Sequence, residues 1–419
     1  MIIEFTVGNY RSFKEKQTLS LIASDESRYP ENVAEVAGMR LLKSAAIFGP
    51  NAGGKSNLIR AMGEMRTMVL QSSKYNIQDK LPVEPFLFAS ETKAEPSYFE
   101  MILSAGADII RYGFQVTKSE VVSEWLHVTR AEDDVEVELF DRKRQVFRID
   151  HDHFPEGNGL EVRTKMNSLF LTTVQQFGGT LATKMVYLIS VNLFVHGMFI
   201  EHGQFPTVNY MGIGKNIKER VVNILQVFDA SIVDIELENY GQNVASNPED
   251  IVLDSYLDNV KVYFMHRFTN GNTESYHRLS IDDESDGTQK LFKIIGAILF
   301  TIDHGSTLIV DELEASFHPL ITLAILGMYN SEDQNRKGAQ IIFTTHDDNI
   351  LDRAQLRKDQ IYFVDKGPNN SSLLYSLAEF IIKVEPEGGY AKDYLGGRYG
   401  AIPQRLDSLF VKNQSVSAA

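Results

Sequence analysis

The segment GPNAGGKS, residues 49–56, constrains this chain more than any other part of its sequence. It satisfies the pattern G-x-x-x-x-G-K-S, follows an apolar run that predicts a buried strand, and precedes apolar residues at helical spacing. In such a unit the glycines let backbone N–H groups converge on phosphates at the helix N-terminus, Lys55 reaches the β and γ phosphates, and Ser56 supplies a hydroxyl to Mg²⁺. The sequence therefore predicts a site for ATP and Mg²⁺. Its predicted nucleotide-binding residues are Asn51, Gly53, Gly54, Lys55, Ser56 and Asn57.

A second element of phosphate chemistry stands far along the chain, where the apolar run Thr307–Val310 is followed by Asp311 and Glu312. The run predicts a strand, so both carboxylates are expected at its carboxyl end, the edge at which open α/β sheets bind ligands. We expect Asp311 to hold Mg²⁺ together with Ser56. We expect Glu312 to act as the general base that polarises the attacking water.

The long stretch between Lys55 and Asp311 predicts an ATPase divided into two lobes by an inserted region. Alternating apolar runs in the first part of the chain predict an antiparallel β lobe, and helical periodicity dominates from about 164 to 226. Apolar spacing predicts a further helix over 288–302, and the strand-like runs after it predict a parallel α/β lobe. The fold class is therefore α/β, with a mainly helical insertion. The predicted domains are the N-terminal lobe, the insertion and the C-terminal lobe, at residues 1–116, 117–272 and 273–419.

Further segments resemble motifs of the ABC-type head ATPases of the SMC, RecF and OLD group. SDGTQ at 285–289 resembles the signature that usually reads LSGGQ, with Gly287 and Gln289 aligned and the other three positions different. LEASFHP at 313–319 occupies the place of the D-loop. The resemblance implies an ABC-type P-loop ATPase head that closes as a homodimer over two nucleotides. The residues that would contact the γ-phosphate bound to the opposite protomer are Ser285, Gly287 and Gln289.

The same resemblance assigns two further residues. His346, after the strand-like run 340–344, looks like the switch histidine, a catalytic residue that senses the γ-phosphate and orients the water. Arg11 lies in NYRSF at 9–13, which is similar to an element whose arginine approaches the nucleotide phosphates; a surface turn charge is the alternative. Gln78 is a candidate for the Q-loop glutamine by rough position only.

A narrower resemblance is to stand-alone prokaryotic ATPases of anti-phage defence and abortive-infection operons, including the RloA and AriA types. It is carried by NYRSFKEKQTLSL, by PFLF at 85–88, by LRKDQIYFVDK from Leu356 and by DYLGGRYGAIP at 393–403. It implies a sensor or regulator that answers a phage-derived trigger and controls a separately encoded effector, a nuclease or toxin. The homodimer could extend to a higher oligomer.

The net charge of −15 repels nucleic acid at long range, so DNA binding would need a local basic patch. The densest basic cluster, Arg142, Lys143, Arg144 and Arg148, is expected to be a solvated hairpin. The alternative function is a RecF-like DNA-repair clamp, and the negative net charge counts against it. The chain has no cysteine and no apolar run of membrane-spanning length, and we expect a cytoplasmic protein without a membrane partner.

Other functions have weaker support in the sequence. We expect no nuclease activity, because few residues follow His346 and the acidic pairs 282–283 and 347–348 are better explained as turn residues. An importer subunit is disfavoured by the long insertion. His151 and His153 are expected to be solvated. The segment 388–403, rich in tyrosine and glycine, is either a surface turn or a partner-docking surface.

Overall fold

The computed structural model describes residues 1–196, 206–238, 260–270, 273–315, 317–367, 369–380 and 389–403. In chain order the strands are β1 (Ile2–Gly8), β2 (Gln17–Ser20), β3 (Val33–Val36), β4 (Met39–Leu42), β5 (Ser44–Phe48), β6 (Ser97–Ala105), β7 (Asp108–Val116), β8 (Val121–Thr129), β9 (Glu136–Lys143), β10 (Val146–Ile149), β11 (Phe194–His196), β12 (Ile232–Glu238), β13 (Lys261–Asn270), β14 (Thr273–Ser280), β15 (Thr307–Val310), β16 (Gln340–Thr344), β17 (Ile361–Lys366) and β18 (Ser372–Ser376). The α-helices of these ranges are α1 (Lys55–Gln71), α2 (Phe170–Gln176), α3 (Thr180–Asn192), α4 (Pro206–Met211), α5 (Lys215–Phe228), α6 (Asp286–His304), α7 (Pro319–Asn330), α8 (Asn349–Arg353) and α9 (Gly389–Leu395).

One layer is a seven-stranded antiparallel sheet in the order β10-β9-β8-β7-β6-β1-β2. Its strands pair antiparallel, as the sequence suggested, and one face of the sheet packs against α1, α2 and α3. Phe5, Phe99 and Phe114 from the sheet share one buried apolar cluster with Met62 and Met65 from α1. This packing fixes the helix that follows the loop 49–56 against the antiparallel lobe.

The second layer is a six-stranded sheet in the order β11-β15-β16-β5-β17-β18, parallel except for its last pair. Every residue of β5, β15 and β16 is buried, which explains their continuous apolar sequences. Val310 is level with Phe343, and Phe343 with Ala46, so the three strands end at the same edge. The α/β architecture with an antiparallel and a parallel lobe is thus confirmed.

The region between the lobes contributes to both sheets. Strands β8, β9 and β10 extend the antiparallel sheet, and the three-residue strand β11 pairs with β15 in the parallel sheet. A separate sheet, β12-β13-β14, leads directly into α6. The predicted boundary after 116 falls between the paired strands β7 and β8, and the one after 272 falls in the β13–β14 hairpin. The boundaries between the ranges 1–116, 117–272 and 273–419 therefore each lie between two strands that pair with each other.

The basic cluster of the β9–β10 hairpin is only partly solvated. Lys143, Arg144 and Arg148 are exposed, but the Arg142 side chain is fully buried and forms an ion pair with Glu124 at 3.4 Å. Arg142 also donates to the carbonyl oxygens of Ser168, Lys165 and Arg144. The expectation of a wholly solvated hairpin was wrong for Arg142, because strand alternation turns this side chain into the lobe.

The described part of the segment 388–403 packs on the parallel sheet. Tyr394 and Tyr399 are buried and stack on Phe363 of β17, with ring centroids 5.3 and 5.9 Å away, while Arg398 is exposed. Tyr394 also donates to the Ala401 carbonyl oxygen at 2.9 Å. The tyrosines of this segment are therefore committed to the core of the second lobe.

No helix of the described ranges is long and apolar enough to cross a membrane.

Candidate functional site

The loop 49–56 links β5 to α1 and depends on its glycines. Gly49 has φ 149° and Gly54 has φ 125°, backbone conformations that side chains of L-residues rarely adopt. A Cβ at Gly49 would lie 2.2 Å from the Val364 carbonyl oxygen, and one at Gly54 would lie 2.2 Å from the Ser372 Oγ. Gly54 is the N-cap of α1 and no side chain caps it, which leaves the first-turn N–H groups of the helix for an anion.

Lys55 lies at the start of α1 and is 5% exposed. Its Nζ donates to the carbonyl oxygens of Gly49 at 2.7 Å and Pro50 at 3.2 Å, so the ammonium is folded over its own loop. Burial lowers the pKa of Lys55, and the negative charges of Asp311, Glu312 and Glu314 act in the opposite direction. The lysine of the loop and the carboxylates after β15, distant in sequence, therefore share one electrostatic site.

The carboxylates are positioned by a residue that the sequence analysis did not single out. Thr344, at the end of β16, donates its hydroxyl to Asp311 Oδ1 at 2.6 Å and accepts the Glu312 N–H at 2.7 Å. Its carbonyl oxygen accepts the Leu313 N–H at 3.1 Å. Because β16 lies between β15 and β5, Thr344 stands between the carboxylates and the loop. A threonine at the end of a buried apolar strand was the available signal.

Glu312 and His346 lie beside each other at the surface. His346 Nε2 is 3.9 Å from Glu312 Oε1, and the two side chains are 38% and 53% exposed. Glu312 has φ 52°, in the left-handed region, and the His346 N–H donates to Glu314 Oε1 at 2.6 Å. The two predicted catalytic side chains thus meet at the rim of the site, where a water molecule can reach both.

The signature residues lie at the start of α6. Ser285 is the N-cap and accepts the Thr288 N–H at 3.2 Å, while the Gln289 Nε2 donates to the Glu284 carbonyl oxygen at 2.9 Å. Ser285 is exposed and Gly287 is half-exposed. These bonds shape the turn locally and leave the backbone of Gly287 at the surface, accessible to another molecule.

A lysine on the same helix joins the signature to the loop after β15. Lys290 Nζ donates to the carbonyl oxygen of Glu312 at 3.3 Å and to that of Ala315, and it lies 4.8 Å from the centroid of the Phe317 ring. Burial lowers the pKa of Lys290. Glu312 is therefore held through its N–H by Thr344 and through its carbonyl oxygen by Lys290. Within the predicted D-loop 313–319, residue 316 lies outside the described residues.

Arg11 is held in its own turn. Its Nε donates to the Tyr10 hydroxyl at 3.2 Å, and its guanidinium pairs with Glu84 at 3.3 Å. The turn adjoins α1 because the Asn57 Nδ2 donates to the Ser12 Oγ at 2.8 Å. The structure thus places Arg11 near the nucleotide loop but with its guanidinium on Glu84, and it gives the Asn57 amide a partner within the fold.

The other candidates are more dispersed. Asn51 is exposed and lines a cavity of about 740 Å³ together with Gly49, Pro50 and His346. Gln78 is exposed in a turn after α1. His153 Nδ1 lies 2.7 Å from Asp150 Oδ2, and the residues that the structure describes contain no group of three or more His, Cys, Asp or Glu that could hold a metal ion.

The site residues fit ATP with Mg²⁺. The glycine positions form a cradle that a Cβ would fill, and the uncapped N-terminus of α1 suits a phosphate. Asp311 and Ser56 offer oxygen atoms, which are the ligands Mg²⁺ prefers.

The sequence matches a family of known proteins over most of this architecture. Residues 44–170 and 195–352 match the family described as "AAA domain, putative AbiEii toxin, Type IV TA system", together more than half of the chain. The chain belongs to this family. Its two matched segments contain β5 with the phosphate loop, α6 with the signature, and Asp311, Glu312 and His346.

No curated protein matches the sequence. Among solved structures, the chain is similar to one described as "Crystal structure of the SmcHead bound to the C-winged helix domain of ScpA". The two are 11% identical, with a TM-score of 0.42, over 90% of this chain and 97% of the other. A likeness of this extent supports no conclusion about activity or partners.

Proposed function

We propose that this protein binds ATP and hydrolyses it in a Mg²⁺-dependent reaction at a site shared between two copies of the chain. One observation carries the proposal: the Thr344 hydroxyl joins the Asp311 carboxylate to the Glu312 backbone at the edge where Lys55 also lies. This convergence of β5, β15 and β16 supports a site in which the phosphate loop acts together with Asp311 as a metal-binding carboxylate and Glu312 as the general base.

Each side chain has a role in this reaction that follows from its position. Lys55 and the N–H groups of the loop bind the phosphates, and Ser56 and Asp311 hold Mg²⁺, which neutralises negative charge on the phosphates when bound. Glu312 accepts the proton of the attacking water, and His346, 3.9 Å from it, orients that water. The exposure of both side chains suits a site that is closed by a second protomer.

The second protomer supplies the signature. The start of α6, with Ser285 as N-cap and Gly287 at the surface, offers backbone N–H groups to the γ-phosphate of the opposite nucleotide. Two sites then form in each dimer, and ATP binding favours the closed assembly because it adds contacts that exist only there. Arg11 joins the phosphates if its guanidinium leaves Glu84.

In the cell we propose a cytoplasmic sensor or regulator of an anti-phage abortive-infection system. The family description, which mentions an AbiEii toxin and a TA system, supports a role in this class of system. The sequence resemblance to the RloA and AriA types supports control of a separately encoded nuclease or toxin, released or restrained by the ATP cycle after a phage-derived trigger. DNA clamping is not part of the proposal, because one of the four cations of the densest basic cluster, Arg142, is buried in an ion pair.

The test compares the unmodified chain with Glu312→Gln, with and without ATP and Mg²⁺. We expect Glu312→Gln to lower turnover by about 10²- to 10⁴-fold while ATP still binds and a larger assembly accumulates, measured by sedimentation and phosphate release. The matched control is Glu332→Gln, an exposed glutamate after α7, which should behave as the unmodified chain. Turnover by Glu312→Gln at the unmodified rate would refute the assignment of the base. Failure of both chains to bind ATP would refute the proposed function.

A further inference from the structure

A threonine from the region between the lobes inserts its side chain into the backbone of the signature helix. The Thr207 hydroxyl, at the start of α4, accepts the Gly296 N–H at 2.9 Å and donates to the Phe292 carbonyl oxygen. Phe292 and Gly296 are four residues apart in α6, so these two groups are the ones that pair with each other in a regular helix. The Thr207 side chain is fully buried, so the contact is shielded from water.

The close approach depends on a glycine. A Cβ at Gly296 would lie 2.2 Å from the Thr207 Cα and 2.8 Å from its Oγ1. Any larger residue at this position would push α4 away from α6. Insertion of a side chain between such N–H and carbonyl groups is one of the causes of helix bending. Thr207 therefore contacts α6 at a point where the direction of its N-terminal half can change.

The same region holds α6 at both of its ends. Just before the signature, Glu284 accepts a hydrogen bond from His266 of β13, with 2.6 Å between Oε1 and Nε2, and the His266 ring also bonds to Ser231. At the other end, Asp303 pairs with Arg220 of α5 and accepts the Tyr210 hydroxyl of α4. Among the described residues between 206 and 280, three separate sets of contacts thus hold the segment that carries the signature.

We propose that Thr207 is a positioning residue through which the described residues between 206 and 280 set the location of the signature, and hence the completion of the partner's nucleotide site. This rests on the shared ATP site proposed above. Gly287 is nine residues from Gly296, about 13 Å along the helix, so a small change of helix direction at Gly296 displaces the signature while the P-loop of the same chain stays in place. A trigger that moves α4 would therefore act on the partner's nucleotide and not on nucleotide binding within its own chain.

The experiment uses three substitutions in the full chain. Thr207→Val removes the hydroxyl and keeps the volume, and Thr207→Ser keeps the hydroxyl. Thr301→Val is the matched control, because Thr301 is a fully buried threonine of α6 itself whose hydroxyl bonds to Tyr329 of α7. The thermal midpoints of the two valine variants show whether they destabilise the fold equally.

Two readouts separate positioning from general stability. Without nucleotide, we expect hydrogen exchange of the amides at 285–292 to become about tenfold faster in Thr207→Val, and to be unchanged in Thr207→Ser and Thr301→Val. In a Glu312→Gln background, Thr207→Val should raise the protein concentration needed for ATP-driven association about tenfold, with ATP affinity at low protein concentration unchanged.

Unchanged exchange at 285–292 in Thr207→Val would overturn the proposal, as would an equal loss of association in Thr301→Val. If the Glu312→Gln chain does not self-associate when ATP is added, the proposal of a shared nucleotide site is refuted. The exchange measurement, made without nucleotide, still decides whether Thr207 holds the signature helix.

Discussion

Glu64 gives a prediction whose sign and size follow from its surroundings. It lies on α1, the helix that begins with Lys55, and its side chain is buried with Oε1 lacking a hydrogen-bond partner among the described residues. Burial, with a smaller effect from the negative charge of Glu84, raises the pKa of Glu64 from 4.5 to about 7, and the positive charge of Arg11 opposes this. Tyr10 and Tyr75 also face this carboxyl group, and burial, followed by the charge of Glu64, raises their pKa values.

The raised pKa makes folding stability fall as pH rises. Between pH 4.5 and about 7 the folded state holds a proton on Glu64 that the unfolded state has lost, so the free energy of unfolding decreases through this range. Above pH 7 the folded chain carries a buried carboxylate, at a total cost of about 3 kcal/mol relative to the protonated form. Most of this cost appears between pH 5 and 8.5, where it amounts to about 2 to 3 kcal/mol.

The perturbation is Glu64→Gln, which keeps the shape and removes the titration. We expect the variant to gain about 2 to 3 kcal/mol over the unmodified chain on going from pH 5 to pH 8.5, measured by urea unfolding at constant ionic strength. Other titrating groups cancel in the difference between the two proteins. Glu35→Gln, at an exposed position in β3, is the control and should show no pH-dependent difference. A difference between Glu64→Gln and the unmodified chain that does not vary with pH would refute the reasoning.

Two further predictions concern the nucleotide site. Gly54→Ala should abolish binding of a fluorescent ATP analogue and lower the thermal midpoint, because its Cβ would lie 2.2 Å from the Ser372 Oγ at φ 125°. The control is Gly106→Ala, at φ 70° with open space around it. Equal binding of the analogue by both variants would contradict the steric argument. Lys290→Met should lower kcat about 10- to 100-fold with unchanged ATP affinity, because the Glu312 carbonyl oxygen loses a charged donor. Lys293→Met, on the same helix, is the control, and steady-state phosphate release is the assay; a parallel loss in both variants would refute the role of Lys290.

The sequence predicted the elements of the site well because their signals are local. Buried parallel strands are continuous apolar runs with polar ends, so β15 and β16 were predicted with the bounds that the structure has. The helix predicted over 288–302 is α6, which extends two residues further at each end because Ser285 caps it and Gly305 ends it. The phosphate loop followed from its glycines, whose conformations no other residue adopts easily.

The features that the sequence did not show depend on partners far away in the chain. Strand β11 is only three residues long, too short for any periodic signal, and it joins the parallel sheet only by pairing with β15. Arg142 looked like one cation in a solvated run, yet it is buried because Glu124 lies on the adjacent strand. Lys290 bonds to the Glu312 backbone from α6, and nothing in the sequence around Lys290 indicates this contact. For Thr344 the one local signal was its place at the end of β16, which does not reveal its bond to the Glu312 N–H.

The contact of Lys290 with Glu312 couples the signature of one chain to the general base of the same chain. Lys290 directly follows the signature and donates to the carbonyl oxygen of Glu312. The backbone of Glu312 has φ 52°, a conformation that residues other than glycine adopt rarely and that the surrounding contacts must hold. A displacement of α6 through Thr207 would therefore move the signature toward or away from the partner's nucleotide. In the same step it would form or break the bond between Lys290 and Glu312, the general base of its own site. If this is correct, Thr207→Val combined with Lys290→Met should lower kcat by less than the product of the two single effects, because both substitutions interrupt one connection.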